Sequence, residues 1–183
     1  KGYAEADPTF DVEGIDASHK LAILASIAFS MPLSLDGLFT DGITQLEPQD
    51  VAYARELGYV VKHLGIARQS ASGIELRVHP TLIPERSLIA GVGDVSNAIM
   101  VNADAVGTTL FYGPGAGAEP TASAVIADIV DVARVMDSYP DSWVPPLGCH
   151  SSVLQERALM AIEDVETGFY IRFSALDKPG VLS

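Results

Sequence analysis

Hydrophobic positions fall in blocks whose period switches between helical and strand-like along the chain. The first fifteen residues, KGYAEADPTFDVEGI, carry acidic groups with Pro8 and Gly14 and read as an ordered loop. Asp16 is then a good N-cap for a helix over Ala17–Ser30, closed off by Pro32. Beyond Lys20 that helix is apolar on nearly every side (LAILASIAF), so it is expected to be central and buried. Residues 33–46 show little periodicity and read as loop, and LEPQDVAYAREL reads as a short amphipathic helix from Pro48 to Gly58.

Two strand-like runs follow, YVVKHLGIARQ and GIELRVHPTLI, joined by Ser70-Ala71-Ser72-Gly73. The alternation Ile74-Leu76-Val78 predicts an antiparallel hairpin. NAIMVNAD and AVGTTLFYG predict a second hairpin turning near Asn102–Asp104. A glycine loop, GPGAGAEP, leads into a helix over TASAVIADIVDVARVM, with Pro120 suited to its first turn. Residues 139–150 hold Pro140, Pro145 and Pro146 and read as linker, and GFYIRFSALDKPGVLS reads as one strand and a turn. This order predicts an α+β fold, an antiparallel or mixed sheet covered by helices on one face.

Composition narrows the function. With 48% hydrophobic and 19% charged residues, the 183-residue chain can build a packed core. Acidic residues outnumber basic ones 24 to 11, a formal charge of −13, which argues against non-specific binding to nucleic acid or anionic membranes. The longest apolar run, Leu21–Phe29, is too short to span a bilayer, and no signal-type segment is visible. Cys149 is the sole cysteine, and no His/Cys cluster has metal-ligand spacing, so no metal ligand is named and a reduced, cytoplasmic setting is the simplest expectation. The chain opens on Lys1 and closes soon after Pro179-Gly180, which suggests a piece of something longer.

Candidate chemistry concentrates at the start. Glu5, Asp7, Asp11, Glu13 and Asp16 precede Lys20. Asp16 and Lys20, at i and i+4, share one side of a helical turn. A surface ion pair plus a cap would explain them. A lysine at the mouth of an apolar helix, facing several carboxylates, could equally bind and protonate a polar small molecule, because clustered acids favour a cation such as a substrate ammonium. A second feature is Gly113-Pro114-Gly115-Ala116-Gly117 between strand and helix, where close packing and close approach of a ligand are both open readings. Its spacing is not the dinucleotide fingerprint. His19, His63, His79 and His150 are scattered and read as structural or surface residues, and Cys149-His150 is not taken as a nucleophile pair.

The run GYAEADPTFDVEGIDASHK closely resembles the substrate-site segment of homoserine dehydrogenases, with acids and lysine at successive spacings of six, five and four positions. The resemblance continues through GPGAGAEPTASAVIADI to about residue 138. It implies an oxidoreductase that interconverts L-homoserine and L-aspartate 4-semialdehyde with NADP or NAD, in threonine, methionine and isoleucine biosynthesis. Lys20 would be the catalytic proton donor and acceptor, and Glu5, Asp11 and Asp16 would hold the substrate. Gly113, Gly115 and Gly117 would lie near a nicotinamide cofactor bound mainly by a domain N-terminal to these residues. Asp7 and Glu13 are assigned to solvation or loop structure, and Glu119 to a cap.

The last residues, FYIRFSALDKPGVLS, resemble the first strand and turn of an ACT domain, which in such enzymes can take threonine as effector. The expected organisation is a substrate-binding and dimerisation domain over 1–138, a linker over 139–168 and the start of an ACT domain over 169–183. The resemblance implies a homodimer or homotetramer, and this stretch alone is expected to be inactive. A non-catalytic amino-acid-binding module and a dimer scaffold are the rival readings.

Overall fold

A computed structural model describes residues 7–136, 145, 148–176 and 178. Asp7 starts the described chain as a local cap. Its carboxylate accepts from the Thr9 amide at 3.1 Å and the Thr9 hydroxyl at 2.6 Å, and those bonds, the hydroxyl's first, hold its pKa below the ordinary value. The loop expected over the first fifteen residues is corrected by a one-turn helix, α1 (Thr9–Val12), after which comes α2 (Ile15–Phe29). The expected Asp16 cap is corrected: Gly14 caps α2 in the left-handed region (φ 78°), and Asp16 sits inside the first turn. Its carboxylate there still faces the positive end of the helix.

The expectation that α2 is buried all round is also corrected. Ser18, Leu21, Ala22, Ala25 and Ser26 form a single buried stripe at helical spacing, whereas Ile23, Leu24 and Ile27 are exposed. Apolar composition identified the helix, but only one side of it meets the sheet. Ser30 adopts φ 49° and ends α2, and the Ser26 hydroxyl donates to the Met31 carbonyl at 2.5 Å.

Residues 33–46, expected as loop, contribute a two-residue strand, β1 (Phe39–Thr40), too short for any periodicity to show. Helix α3 (Pro48–Glu56) has Pro48 at its first position and a reciprocal capping box between Glu47 and Asp50. The first hairpin is as expected, with β2 (Tyr59–Ser70) paired antiparallel to β3 (Gly73–Pro84) from Tyr59↔Pro84 to Ser70↔Gly73. Strand β1 runs parallel to β3, which makes a mixed three-stranded sheet in the order β1-β3-β2.

Pleating sorts this sheet into two faces. Val61, His63, Gly65 and Ala67 share a face with their partners Leu82, Pro80, Val78 and Leu76. A Cβ at Gly65 would lie 3.4 Å from the Leu21 side chain, so α2 packs on that face. Val51 of α3 lines one groove together with Val61 and His63, so α3 lies on it too. The core there joins Ala25, Met31, Ile74 and Leu76, flanked by Phe29, Leu38, Ala67 and Leu159. The other face carries Arg68, Ile66 and Leu64 opposite Glu75, Arg77 and His79. The expectation of helices on one face of the sheet therefore holds.

The second hairpin, β4 (Ser96–Ala103) with β5 (Gly107–Pro114), is a separate two-stranded sheet, reached through the excursion Glu85–Val95 rather than a tight turn. Helix α4 (Ala118–Met136) begins three residues before the expected Thr121, with Pro120 in its first turn and no buried residue.

The described part of the expected linker packs back on the sheet. The Gln155 amide donates to the Ser30 carbonyl at 3.0 Å, and Leu159 forms a parallel bridge with Ile74. The strand expected from Phe169 is corrected, because residues 165–176 form no regular element. Tyr170 and Arg172 reach across to α3 instead of entering a ladder. The Tyr170 hydroxyl donates to Asp50 at 2.9 Å, and Arg172 pairs with Asp50 at 2.7 Å and Glu47 at 2.6 Å. The turn expected over Asp177–Val181 falls largely outside the described residues, as do most of 139–147.

Candidate active site

Asp16 and Lys20 do meet across one turn of α2, as an ion pair. Both stay accessible, with side chains 41% and 65% exposed, so the lysine ammonium can be reached from solvent. Asp11 lies on α1, also exposed, and its backbone carbonyl accepts from the Gly14 amide at 3.1 Å. Asp11 therefore belongs to the turn that leads directly into the helix of Asp16 and Lys20. Glu5 lies outside the described residues. His19, beside Lys20, points elsewhere: its ring packs edge-on against Phe10 at 5.5 Å and pins α1 to α2.

The turn between α1 and α2 is held from below and from the side. Gly14 is buried, and a Cβ there would fall 2.8 Å from His63 Cε1 and 3.1 Å from Val78 Cγ1. At the side runs the loop Asp41–Ile43. The Ile43 amide donates to the Val12 carbonyl at 2.8 Å, and the Asp41 amide to the Val78 carbonyl at 2.8 Å. A Cβ at Gly42 would meet the Val12 carbonyl at 2.5 Å, so only glycine lets this loop close on the turn. The sequence reading missed Gly14 and His63 as parts of the site. The available signal was a glycine directly before the helix and a histidine on the inward face of β2.

The three glycines of the loop have different surroundings. A Cβ on Gly115 would fall 1.5 Å from the Asn97 amide nitrogen, so the absence of a side chain there is explained by packing within the chain. Gly113, at the end of β5, opens onto free space and could accept a ligand at close range. Gly117 has φ 122° and stands directly before α4, where its carbonyl accepts from the Thr121 amide at 3.1 Å. Gly113 is thus open, whereas Gly115 is accounted for by packing against Asn97. Among the described residues no hydrogen bond joins this loop to α1 or α2. No group of His, Cys, Asp and Glu among the described residues could hold a metal ion.

A second polar cluster lies on the opposite face of the sheet. Glu75 is almost fully buried, between Arg77 at 2.5 Å and Arg68 at 2.7 Å. Arg77 also reaches His79 Nε2 at 2.6 Å, and His79 Nδ1 faces the Pro80 carbonyl at 2.8 Å. A guanidinium can only donate, so Nε2 accepts and Nδ1 carries the hydrogen. Glu75 and Arg77 are buried and spend their hydrogen bonds within the cluster, while Arg68 covers it from the solvent side, which marks a structural cluster.

The family model for homoserine dehydrogenase matches residues 1–130. The chain is 60% identical over 182 residues to homoserine dehydrogenase of Pseudomonas aeruginosa, covering 100% of this chain and 42% of that protein. It is 50% identical to homoserine dehydrogenase of Neisseria gonorrhoeae, covering 99% and 42%. Among solved structures, homoserine dehydrogenase from Thiobacillus denitrificans superposes with a TM-score of 0.85 at 58% identity, over 90% of this chain and 38% of that one. A hyperthermophilic archaeal homoserine dehydrogenase in complex with NADPH matches with a TM-score of 0.56 at 26% identity, over 73% and 37%. The chain thus spans about 42% of the length of such relatives.

Proposed function

The chain belongs to the homoserine dehydrogenase family, and from that membership we propose that it supplies the substrate site of an enzyme that interconverts L-homoserine and L-aspartate 4-semialdehyde. The observation that carries this reading is the accessible Asp16–Lys20 pair on the first turns of α2, with Asp11 on the adjoining turn. In the reducing direction, the Lys20 ammonium gives a proton to the aldehyde oxygen as the carbonyl carbon is reduced. In the oxidising direction, the neutral amine takes the proton of the homoserine hydroxyl. Asp16 anchors Lys20, and Asp11 and Glu5 attract the substrate's own ammonium group. NADP or NAD would supply or accept the hydride, with Gly113, which opens onto free space, and Gly117 as the loop positions that would approach it.

Several further features belong to the same reading. The enzyme works in threonine, methionine and isoleucine biosynthesis, in the cytoplasm. No described helix is long and apolar enough to cross a membrane. Residues 1–138 form the substrate-binding and dimerisation domain, and 139–168 connect it to an ACT module that starts at 169 and takes threonine as effector. The sheet face opposite α2 and α3, with Leu64 and Ile66 around the Arg68–Glu75–Arg77 cluster, suits contact with a second copy in a homodimer or homotetramer.

Lys20→Ala in the full-length enzyme tests the chemistry. We expect kcat for homoserine oxidation to fall by about 100-fold or more, with a smaller change in KM. Unchanged turnover would favour a non-catalytic amino-acid-binding module in place of the enzyme reading.

A further inference from the structure

Helix α2 starts without a capping side chain. Its cap, Gly14, has no side chain, and no side-chain hydrogen bond caps the helix. Besides the Phe10–His19 contact between α1 and α2, the direction in which Asp16 and Lys20 point depends on what the Gly14 turn rests on. Two supports touch it, the floor formed by β2 and β3 and the loop Asp41–Ile43. His63 joins them. Its ring lies directly beneath Gly14, where a Cβ would be 2.8 Å from Cε1 and 3.1 Å from Nε2. Its Nε2 is also 2.9 Å from the Asp41 carbonyl oxygen, so Nε2 carries the hydrogen and donates it. Two residues after Asp41 the same loop takes hold of the turn again, through the Ile43 amide and the Val12 carbonyl at 2.8 Å. Two residues along β2, Gly65 makes room for Leu21, the neighbour of Lys20. The inward face of β2 thus sets both the height of the turn and the rotation of the helix.

We propose that His63 is a positioning residue for the reaction: its ring under Gly14 and its hydrogen bond to the Asp41 carbonyl hold the turn that aims Asp16 and Lys20 at the substrate. This rests on the reading of Lys20 as the acid–base group. His63 touches no reacting atom. Its effect passes through Gly14 to the first turn of α2, and through Asp41 and Ile43 to α1 and Asp11. Leucine at 63 keeps apolar bulk and removes the donor, whereas glutamine keeps a donor at nearly the same reach.

The test is steady-state kinetics of the full-length enzyme carrying His63→Leu, His63→Gln or Lys20→Ala, each with a thermal unfolding midpoint. For His63→Leu we expect kcat/KM for homoserine to fall by about 10- to 100-fold, with KM for the nicotinamide cofactor unchanged. His63→Gln should recover most of that loss. Wild-type kinetics for His63→Leu would overturn the proposal. So would a glutamine variant as impaired as leucine, or an equal rise in both KM values. The Lys20→Ala arm separates the two levels. Unchanged turnover there overturns the reading of the site, whereas lost turnover there with wild-type His63→Leu kinetics overturns only the role of His63.

Discussion

Gly14 shows how much one residue can settle. Its φ of 78° and the His63 ring beneath it exclude any side chain on two separate grounds. Gly14→Ala should therefore lower stability by about 1–3 kcal/mol, seen as a reduced urea midpoint, and should lower homoserine turnover with it. A variant as stable as wild type would mean that the turn has another way to seat itself. Lys20 differs in kind. Its pairing with Asp16 was legible from the i, i+4 spacing, because that contact is local to one helix. The support under Gly14 was not, since it joins residues 14, 41 and 63, which no periodicity relates.

Elements followed from pattern wherever the pattern was long. The β2–β3 hairpin was readable from Ile74-Leu76-Val78 alternating beside a Ser-Ala-Ser-Gly turn, and Val78 is completely buried. The Glu75 cluster belongs to the same pair of strands. Arg68 lies directly across from Glu75 in the register, and Arg77 lies two residues along on the same face. Glu75→Ala would leave the nearly buried Arg77 without its carboxylate and should cost about 3–5 kcal/mol, read from chemical denaturation. Glu75→Gln keeps one acceptor and should cost less. Short or one-sided elements were less legible. Strand β1 has two residues, and α2 looks apolar all round because composition does not record which side meets a neighbour.

At the scale of the whole molecule, the segment after α4 straps the domain. It touches the end of α2 through Gln155, the edge of β3 through Leu159 and the start of α3 through Tyr170 and Arg172. The last contact has a definite pH window. The Glu47 amide, more than Tyr170 or Arg172, holds the Asp50 pKa below the ordinary carboxylate value. Burial, with the Asp50 bond, raises that of Tyr170. A lowered acid stabilises the folded α3 cap, and through Tyr170 and Arg172 the docked segment, above its unfolded pKa, roughly 3.9, and that contribution is lost as pH falls through the native value. A raised phenol acts in the opposite sense, stabilising below about 10 and losing its effect as pH rises through its native value. Docking should thus be complete between these limits and loosen on both sides. NMR titration of the Tyr170 ring should show both transitions, and Asp50→Asn should remove the acid one. A ring signal unmoved by acid in the wild type would show that Asp50 does not hold the strap.

By itself the sequence determined what depends on near neighbours. That covers the order of α2, α3, the two hairpins and α4, the Pro48 helix start, the Asp16–Lys20 pair and the acidic run on which the family resemblance rests. Tertiary structure decided what depends on distant partners: which stripe of α2 is buried, that β1 adds to β3, that the two hairpins form separate sheets, and that the tail docks on α3 rather than forming a strand. It also decided what lies under Gly14. The division is physical, because a helical or strand period records which side of an element is apolar, whereas the group that covers that side comes from elsewhere in the chain.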